Sequence, residues 1–282
     1  MDALHKDNIV DLFVWVDDQI LDIEKTAQTK KAMVGRPVSL TTSEIATIII
    51  WNGVTEPHKT IKNIYRWVRR EYIDYFPKLP AYQNFVNLLH NNLETVNRLL
   101  LSILNYSATL RFADSTILEV CKLPRMNRYK VAKGIAKMGV NHQGWHYGFK
   151  LHASIDKHNR LSGVHFTSAN EYDAQEVEKI ILGSTKILVG DSHYGASVMT
   201  KRLYKKYSII TIAPPHYRQR KKLMTNNQKK LLRMRTKIEA VFDYLKEHMY
   251  LVSSFPRSVK GYFVHYVRVL LGYQMRVLLG VS

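Results

Sequence analysis

Apolar positions recur along the chain with two different periods, and the change from one to the other divides it. Up to about residue 104 the period is helical. Residues 8–29 turn Val10, Leu12, Phe13, Val16, Ile20, Leu21 and Ile23 inward and acids outward, which predicts a scaffold helix. After the Gly35-Arg36-Pro37 break, Thr41 and Glu44 have capping-box spacing and open a short helix ending near Trp51. Asn52-Gly53 reads as a turn and Thr55 as the cap of the next helix. That helix has an apolar face of Ile61, Ile64, Tyr65 and Val68, while Lys59, Lys62, Asn63, Arg66, Arg69 and Arg70 line the other. Helix, tight turn and basic helix is the outline of a DNA-reading helix-turn-helix, and it is equally the outline of an ordinary solvated face. Phe76-Pro77-Lys78-Leu79-Pro80 stops the run, and residues 82–104 predict one long helix that closes a helical domain, residues 1–105.

From Thr109 the period is that of strands. Residues 109–116 predict a strand with Asp114 in its middle, where a carboxylate needs compensation. Residues 122–141 read as a basic connector holding Lys122, Arg125, Arg128, Lys130, Lys133 and Lys137, and a loop this long inside a compact domain is usually functional. Residues 147–155 and 161–167 predict a hairpin about Asp156-Lys157-His158-Asn159, with Lys150 and His152 facing outward from its first strand. A crossover helix over 173–182 leads to the apolar strand 185–191, of the kind buried on both faces. Its final residue, Asp191, stands at a carboxyl edge, where open α/β sheets bind ligands. A helix through Tyr207 and a strand over 208–213 follow. Arg218, Arg220, Lys221, Lys222, Lys229 and Lys230 then form a run suited to a phosphate backbone. A helix over 226–249 carries an apolar stripe of Leu231, Ile238, Phe242, Leu245 and Met249, with Arg235, Glu239 and Lys246 along its border. An amphipathic helix over 259–279 ends the chain. These elements predict a second domain, residues 106–282, of α/β class: a mixed five-stranded sheet flanked by helices.

Charge narrows the choice of partner. The 282 residues carry 42 Lys and Arg against 23 Asp and Glu, a formal +19, which points to a polyanion. No stretch reaches 18 apolar residues, and 263–279 is interrupted by His265, Arg268, Gln274 and Arg276, so no membrane span is expected. The first residues have no apolar signal core, and the single Cys121 allows neither an internal disulfide nor a thiolate zinc cage. A cytoplasmic, nucleoid-associated protein is the expectation.

Three acids carry the candidate chemistry. Taken singly, Glu239 between Arg235 and Lys246 reads as a solvated helical pair worth about 0.2–0.5 kcal/mol, and Asp191 as a helix cap. Asp114 in mid-strand has no such structural reading. If the strand ending in Asp191 packs beside that of Asp114, the two aspartates become neighbours, and the late helix can bring Glu239 to the same point. Three carboxylates at one point call for hard divalent cations. Two Mg²⁺ or Mn²⁺ ions about 3.5–4 Å apart would serve in-line phosphoryl transfer on a phosphodiester. His142 and His146 stand four apart on no helix and are not read as a metal pair, and His193 is expected near Asp191.

Asp114-Ser115-Thr116, Gly190-Asp191-Ser192-His193-Tyr194-Gly195 and Arg235-x3-Glu239-x6-Lys246 resemble the DDE transposases of bacterial insertion sequences, related to the IS4-like group. Phe76-Pro77-x-Leu79-Pro80-x-Tyr82 and the compact length resemble the IS982 family in particular. The resemblance implies an RNase H-like catalytic domain, Asp114, Asp191 and Glu239 as metal ligands, and Arg235 and Lys246 as DNA contacts near the scissile phosphate. It implies cleavage at element ends and strand transfer by a dimer or larger assembly. Read from the residues themselves, the basic helix with Lys62, Arg66 and Arg69 would put the terminal repeats on the helical domain, and Lys150 faces either DNA or solvent. Leu232 stands where that motif has tyrosine. A nuclease that only cuts, and a DNA-binding protein without chemistry, are the alternatives.

Overall fold

The computed structural model describes residues 8–26, 39–141, 144–215 and 223–281. In chain order the elements are α1 Ile9–Thr26, α2 Thr42–Thr55, α3 Ile61–Glu71, α4 Tyr82–Asn91, α5 Leu93–Ser102, β1 Leu110–Cys121, β2 Lys137–Asn141, β3 Gly144–Ile155, β4 Leu161–Ser168, α6 Asp173–Ile180, β5 Ile187–Val189, α7 Ser197–Tyr207, β6 Ile210–Ile212, α8 Asn226–Met234, α9 Thr236–Glu247 and α10 Val259–Leu278. They fall into two compact units.

The helical unit takes residues 1–103, 247–251 and 255–282, so α10, expected with the sheet, belongs instead with the helices. Sequence explains the move: α10 is buried at Tyr262 and from Val264 through Met275, too apolar all round for an outer helix. It packs against α2 and α5. Inside it, Arg268 and His265 are buried, and the Arg268 guanidinium donates to the His58 carbonyl at 2.9 Å. The expected capping box of Thr41 and Glu44 is formed. The turn expected at Asn52-Gly53 is not: α2 runs through both residues, and Thr60, not Thr55, caps α3 by accepting from the Asn63 amide at 3.1 Å. The glycine serves a crossing. A Cβ at Gly53 would lie 2.5 Å from the Cα of Gly272 in α10. Gly53→Ala gains helix propensity of about 1 kcal/mol but is expected to lose about 1–3 kcal/mol through overpacking, read as a lower urea midpoint; an unchanged or higher midpoint would show that the crossing has slack.

On α1 the inward positions are Ile9, Leu12, Val16 and Ile20, whereas Val10 and Leu21 are exposed. The single helix expected over 82–104 is two, broken at Asn92, whose amide donates to the Leu88 carbonyl and whose Oδ1 accepts from the Thr42 hydroxyl at 2.7 Å. On α3, Ile64, Trp67 and Val68 are buried, and Lys62, Arg66, Arg69 and Arg70 are exposed.

The sheet unit takes residues 104–246 and 252–254. Six strands form one mixed sheet, with β3 antiparallel to β1 on one side and to β2 and then β4 on the other. Strands β1, β5 and β6 run parallel. The expected five strands become six because residues 137–141 of the basic connector pair with β3. Ala113 and Leu188 join Val177, Ile180, Met199 and Leu203 in a core that α6 and α7 cover. Strand alternation therefore turns Asp114 to the other face. Arg111 anchors β1 from within: wholly buried, its guanidinium donates to the carbonyls of Ser162 and Ile180 at 2.7 and 3.1 Å. Burial lowers its pKa to about 10, which still leaves it charged at neutral pH.

Candidate active site

Strand register brings the first two acids together. Phe112 of β1 is the partner of Val189, the last residue of β5, in a parallel pair, and two residues further along the chain from each come Asp114 and Asp191. The strand expected over 185–191 ends at Val189, and Asp191 lies just beyond it as the cap of the 3-10 turn Ser192–Gly195, its Oδ1 accepting from the amides of His193 at 2.9 Å and Tyr194 at 3.4 Å. Gly190 precedes it because the Tyr194 ring lies underneath; a Cβ there would sit 2.7 Å from that ring.

The third acid arrives through an arginine. The helix expected over 226–249 is interrupted at Arg235, where α8 ends and α9 begins, with the Arg235 amide bonded to Leu232 and the Ile238 amide to Arg235 in tightened turns. The break lets one guanidinium reach both acids: Nη1 is 3.3 Å from Asp114 Oδ2 and Nη2 is 2.6 Å from Glu239 Oε1. Ile238, Phe242, Leu245 and Met249 of the expected stripe are buried, Leu231 only partly. Leu232 and Lys246 are half-buried.

Electrostatics single out Asp114. Burial raises its carboxyl pKa to about 7; Asp191 and Asp173 push the same way, and the Ser115 amide, at 2.8 Å, and Arg235 oppose them. In sequence Asp173 marks only the start of a helix. It lies in the first turn of α6, which packs against β1 and the 3-10 turn, and the preceding Tyr172 hydroxyl is 3.4 Å from His193 Nδ1. The Tyr194 hydroxyl is fully buried with no hydrogen-bond partner among the described residues; burial, then Asp173, Asp114 and Asp191, hold its pKa well above the ordinary value.

Lys150 and His152, expected to face outward, lie on the face that α6 covers. The Lys150 ammonium is held by the Asp173 carboxylate at 3.0 Å and the Glu171 carbonyl at 2.7 Å. His152 is wholly buried, with Nε2 2.9 Å from the Thr167 hydroxyl, and burial lowers its pKa to about 4. His146 Nε2 is 3.1 Å from Asn141 Oδ1. His142, Arg218, Arg220, Lys221 and Lys222 lie outside the described residues.

Among the described residues, no group of three or more His, Cys, Asp and Glu side chains stands close enough to hold a metal ion. In this arrangement the counter-charge between Asp114 and Glu239 is the guanidinium of Arg235. The donor chemistry nonetheless suits a hard cation, since all three acids offer carboxylate oxygens and Asp114 is short of positive charge.

No helix among the described residues is long and apolar enough to cross a membrane. A search of curated proteins finds no match to the chain. Residues 105–259, more than half of the chain, match the model of the transposase DDE domain, and the mixed sheet flanked by helices is compatible with an RNase H-like fold of that kind. The chain therefore belongs to the family of DDE-domain transposases.

Proposed function

We propose that this protein is an insertion-sequence transposase of the IS982 type, which cuts DNA at the element's ends and joins the freed 3′ hydroxyl to target DNA. One observation carries the reading: the parallel register sets Asp114 beside Asp191, and Arg235 ties Asp114 to Glu239. Acids from three remote segments are thus linked pairwise, Asp191 to Asp114 through the sheet and Glu239 to Asp114 through Arg235. Asp114, Asp191 and Glu239 would hold two Mg²⁺ or Mn²⁺ ions. Such ions, when bound, activate the attacking oxygen and stabilise the leaving one in an in-line displacement. Arg235 supplies positive charge until then and keeps Asp114 and Glu239 within reach of one another. Released from Asp114, its guanidinium is placed to receive a phosphate oxygen. Asp191 is held by two backbone amides, so its orientation is set before DNA arrives.

The basic face of α3, with Lys62, Arg66 and Arg69, supports residues 1–105 as the part that holds the terminal repeats. Because α2 and α3 are joined by the five residues Glu56 to Thr60, a helix-turn-helix use of α3 is open to it. Joining two ends in one event calls for a dimer or larger assembly on the DNA. Lys246 and the basic run at 218–222 are assigned to the phosphate backbone. Lys150, held by Asp173 under α6, is not assigned to DNA.

Incubating the full chain with DNA that carries its flanking genomic ends, in Mg²⁺ or Mn²⁺, tests the proposal. Joined products are the expected result. Cut but unjoined DNA would leave a nuclease, and tight binding with no metal-dependent product would leave a DNA-binding protein.

A further inference from the structure

The basic connector takes no part in the site above, yet its surroundings are unusual. Arg125 and Arg128 lie on the 3-10 turn Leu123–Arg128, which packs on β3. Lys130 and Lys133 follow in the turns leading to β2, and all four cations are exposed. Lys122 is paired with Glu119 at 3.3 Å, whereas among the described residues no ion pair is made by the other four. Beside them the hairpin of β2 and β3 exposes apolar surface. Val140 and Trp145 are direct cross-strand partners, so they share a face, and they are 60% and 59% exposed. Met138 and Tyr147, the next pair on that face, are partly and fully buried. Ile135 adds a third exposed apolar side chain.

A cross-strand pair stabilises a hairpin by about 0.2–1 kcal/mol at most, and that gain does not require the indole to stay open to solvent. Trp51 and Trp67 are buried elsewhere in the chain. An exposed aromatic ring on the strand against which a turn carrying such cations packs is instead an arrangement that suits a single nucleic-acid strand: phosphates on the cations, a base face on the ring. A paired duplex keeps its base faces stacked inside and offers the ring nothing.

We infer that the β2–β3 end of the sheet is a second DNA surface, on which Arg125, Arg128, Lys130 and Lys133 neutralise phosphates while Trp145, flanked by Val140, stacks on a base of an unpaired strand. The inference rests on the DNA-acting reading only for its choice of polyanion. It concerns strands opened during the reaction, and it needs neither the acids nor a metal.

The test uses the full chain in EDTA, where no catalysis enters. Its probes are a random-sequence 30-base-pair duplex, the same duplex with a central single-stranded gap, and vesicles containing phosphatidylserine. Gapped DNA should shield an indole from acrylamide in the wild type, and that shielding should vanish in Trp145→Phe. Trp145→Ala should weaken binding to gapped DNA by about tenfold, as expected for one lost stacking contact, and to intact duplex by less than about twofold. The triple variant Arg125→Ala/Arg128→Ala/Lys130→Ala should flatten the salt dependence on gapped DNA by about two, from roughly 0.7 per phosphate contact on a single strand. All the substituted side chains are exposed or half of their surface is, so folding is checked simply by circular dichroism. Unchanged affinity of Trp145→Ala for gapped DNA overturns the assignment, as does an equal loss on intact duplex. Stronger shielding of Trp145 by the vesicles than by DNA would make this a membrane-facing surface and overturn it too. Failure of cleavage in Mg²⁺ with these binding results intact would count against the proposed reaction, not against this surface.

Discussion

Asp191→Asn and Glu239→Gln are each expected to slow DNA cleavage by about 10³-fold or more, the scale of losing several kcal/mol of charge stabilisation in the transition state. DNA binding should stay within about threefold, because the affinity for a polyanion comes mostly from cations on its phosphates, which neither substitution removes. Each replacement keeps the local structure and removes the charge. The Asp191 Oδ1 accepts from two amides, and asparagine caps a turn as well as aspartate does. Glu239 is 44% exposed and holds Arg235 by an i,i+4 pair, a bond that glutamine can still accept at a cost below about 1 kcal/mol. A large rate loss with little change in stability would therefore report the carboxylates' part in the chemistry. The measurement is single-turnover cleavage of end-containing DNA in Mg²⁺, beside a binding isotherm for each variant. Retention of a tenth or more of the wild-type rate would remove that acid from the reaction.

Part of this site could be read from residue order, because β-register is a matter of counting. Asp114 and Asp191 are separated along the chain by the same interval as the partners Phe112 and Val189, so one parallel pairing makes them neighbours. Periodicity also marked β1, the hairpin of β3 and β4, and the crossover helix. What it could not show were features decided by tertiary fit. The break at Arg235 interrupts an apolar stripe that is continuous in sequence; it is the joint reach to Asp114 and Glu239 that accompanies it. Gly53, which resembles a turn residue locally, is a helix crossing because of Gly272, more than two hundred residues away. Lys150 and His152 alternate outward on a strand in isolation, but α6 covers that face and Asp173 draws the lysine in. Only the burial of α10 on nearly all sides hinted that it belongs with the helices, and an apolar helix can find its partners in either unit.

Asp114→Asn is expected to stabilise the protein at pH 8, although it removes a candidate catalytic group. Burial, reinforced by Asp191 and Asp173, raises the folded pKa of Asp114 to about 7 from an ordinary 3.8. The fold thus favours the protonated carboxyl. Its stabilising contribution is fully present below about pH 4 and is lost as pH rises through 7, on the order of 2–4 kcal/mol at 1.36 kcal/mol per unit. Asparagine is neutral at every pH and keeps that contribution, less what Arg235 loses when its partner is uncharged, a partly exposed pair 3.3 Å apart. The variant should melt several degrees above wild type at pH 8, with the gap closing as pH falls and gone near pH 4. A gap that is the same at both pH values, or a variant less stable at pH 8, would show that Asp114 is ionised without penalty in the folded chain. Mg²⁺ supplies the second comparison. Under the proposed function it should raise the melting temperature of the wild type at pH 8 and move the variant little, since a ligand stabilises only the state that binds it. Wild type and variant would then converge as Mg²⁺ is added. That convergence would separate a carboxylate kept charged for a cation from one merely buried, and its absence would leave Asp114 a buried acid with no bound ion.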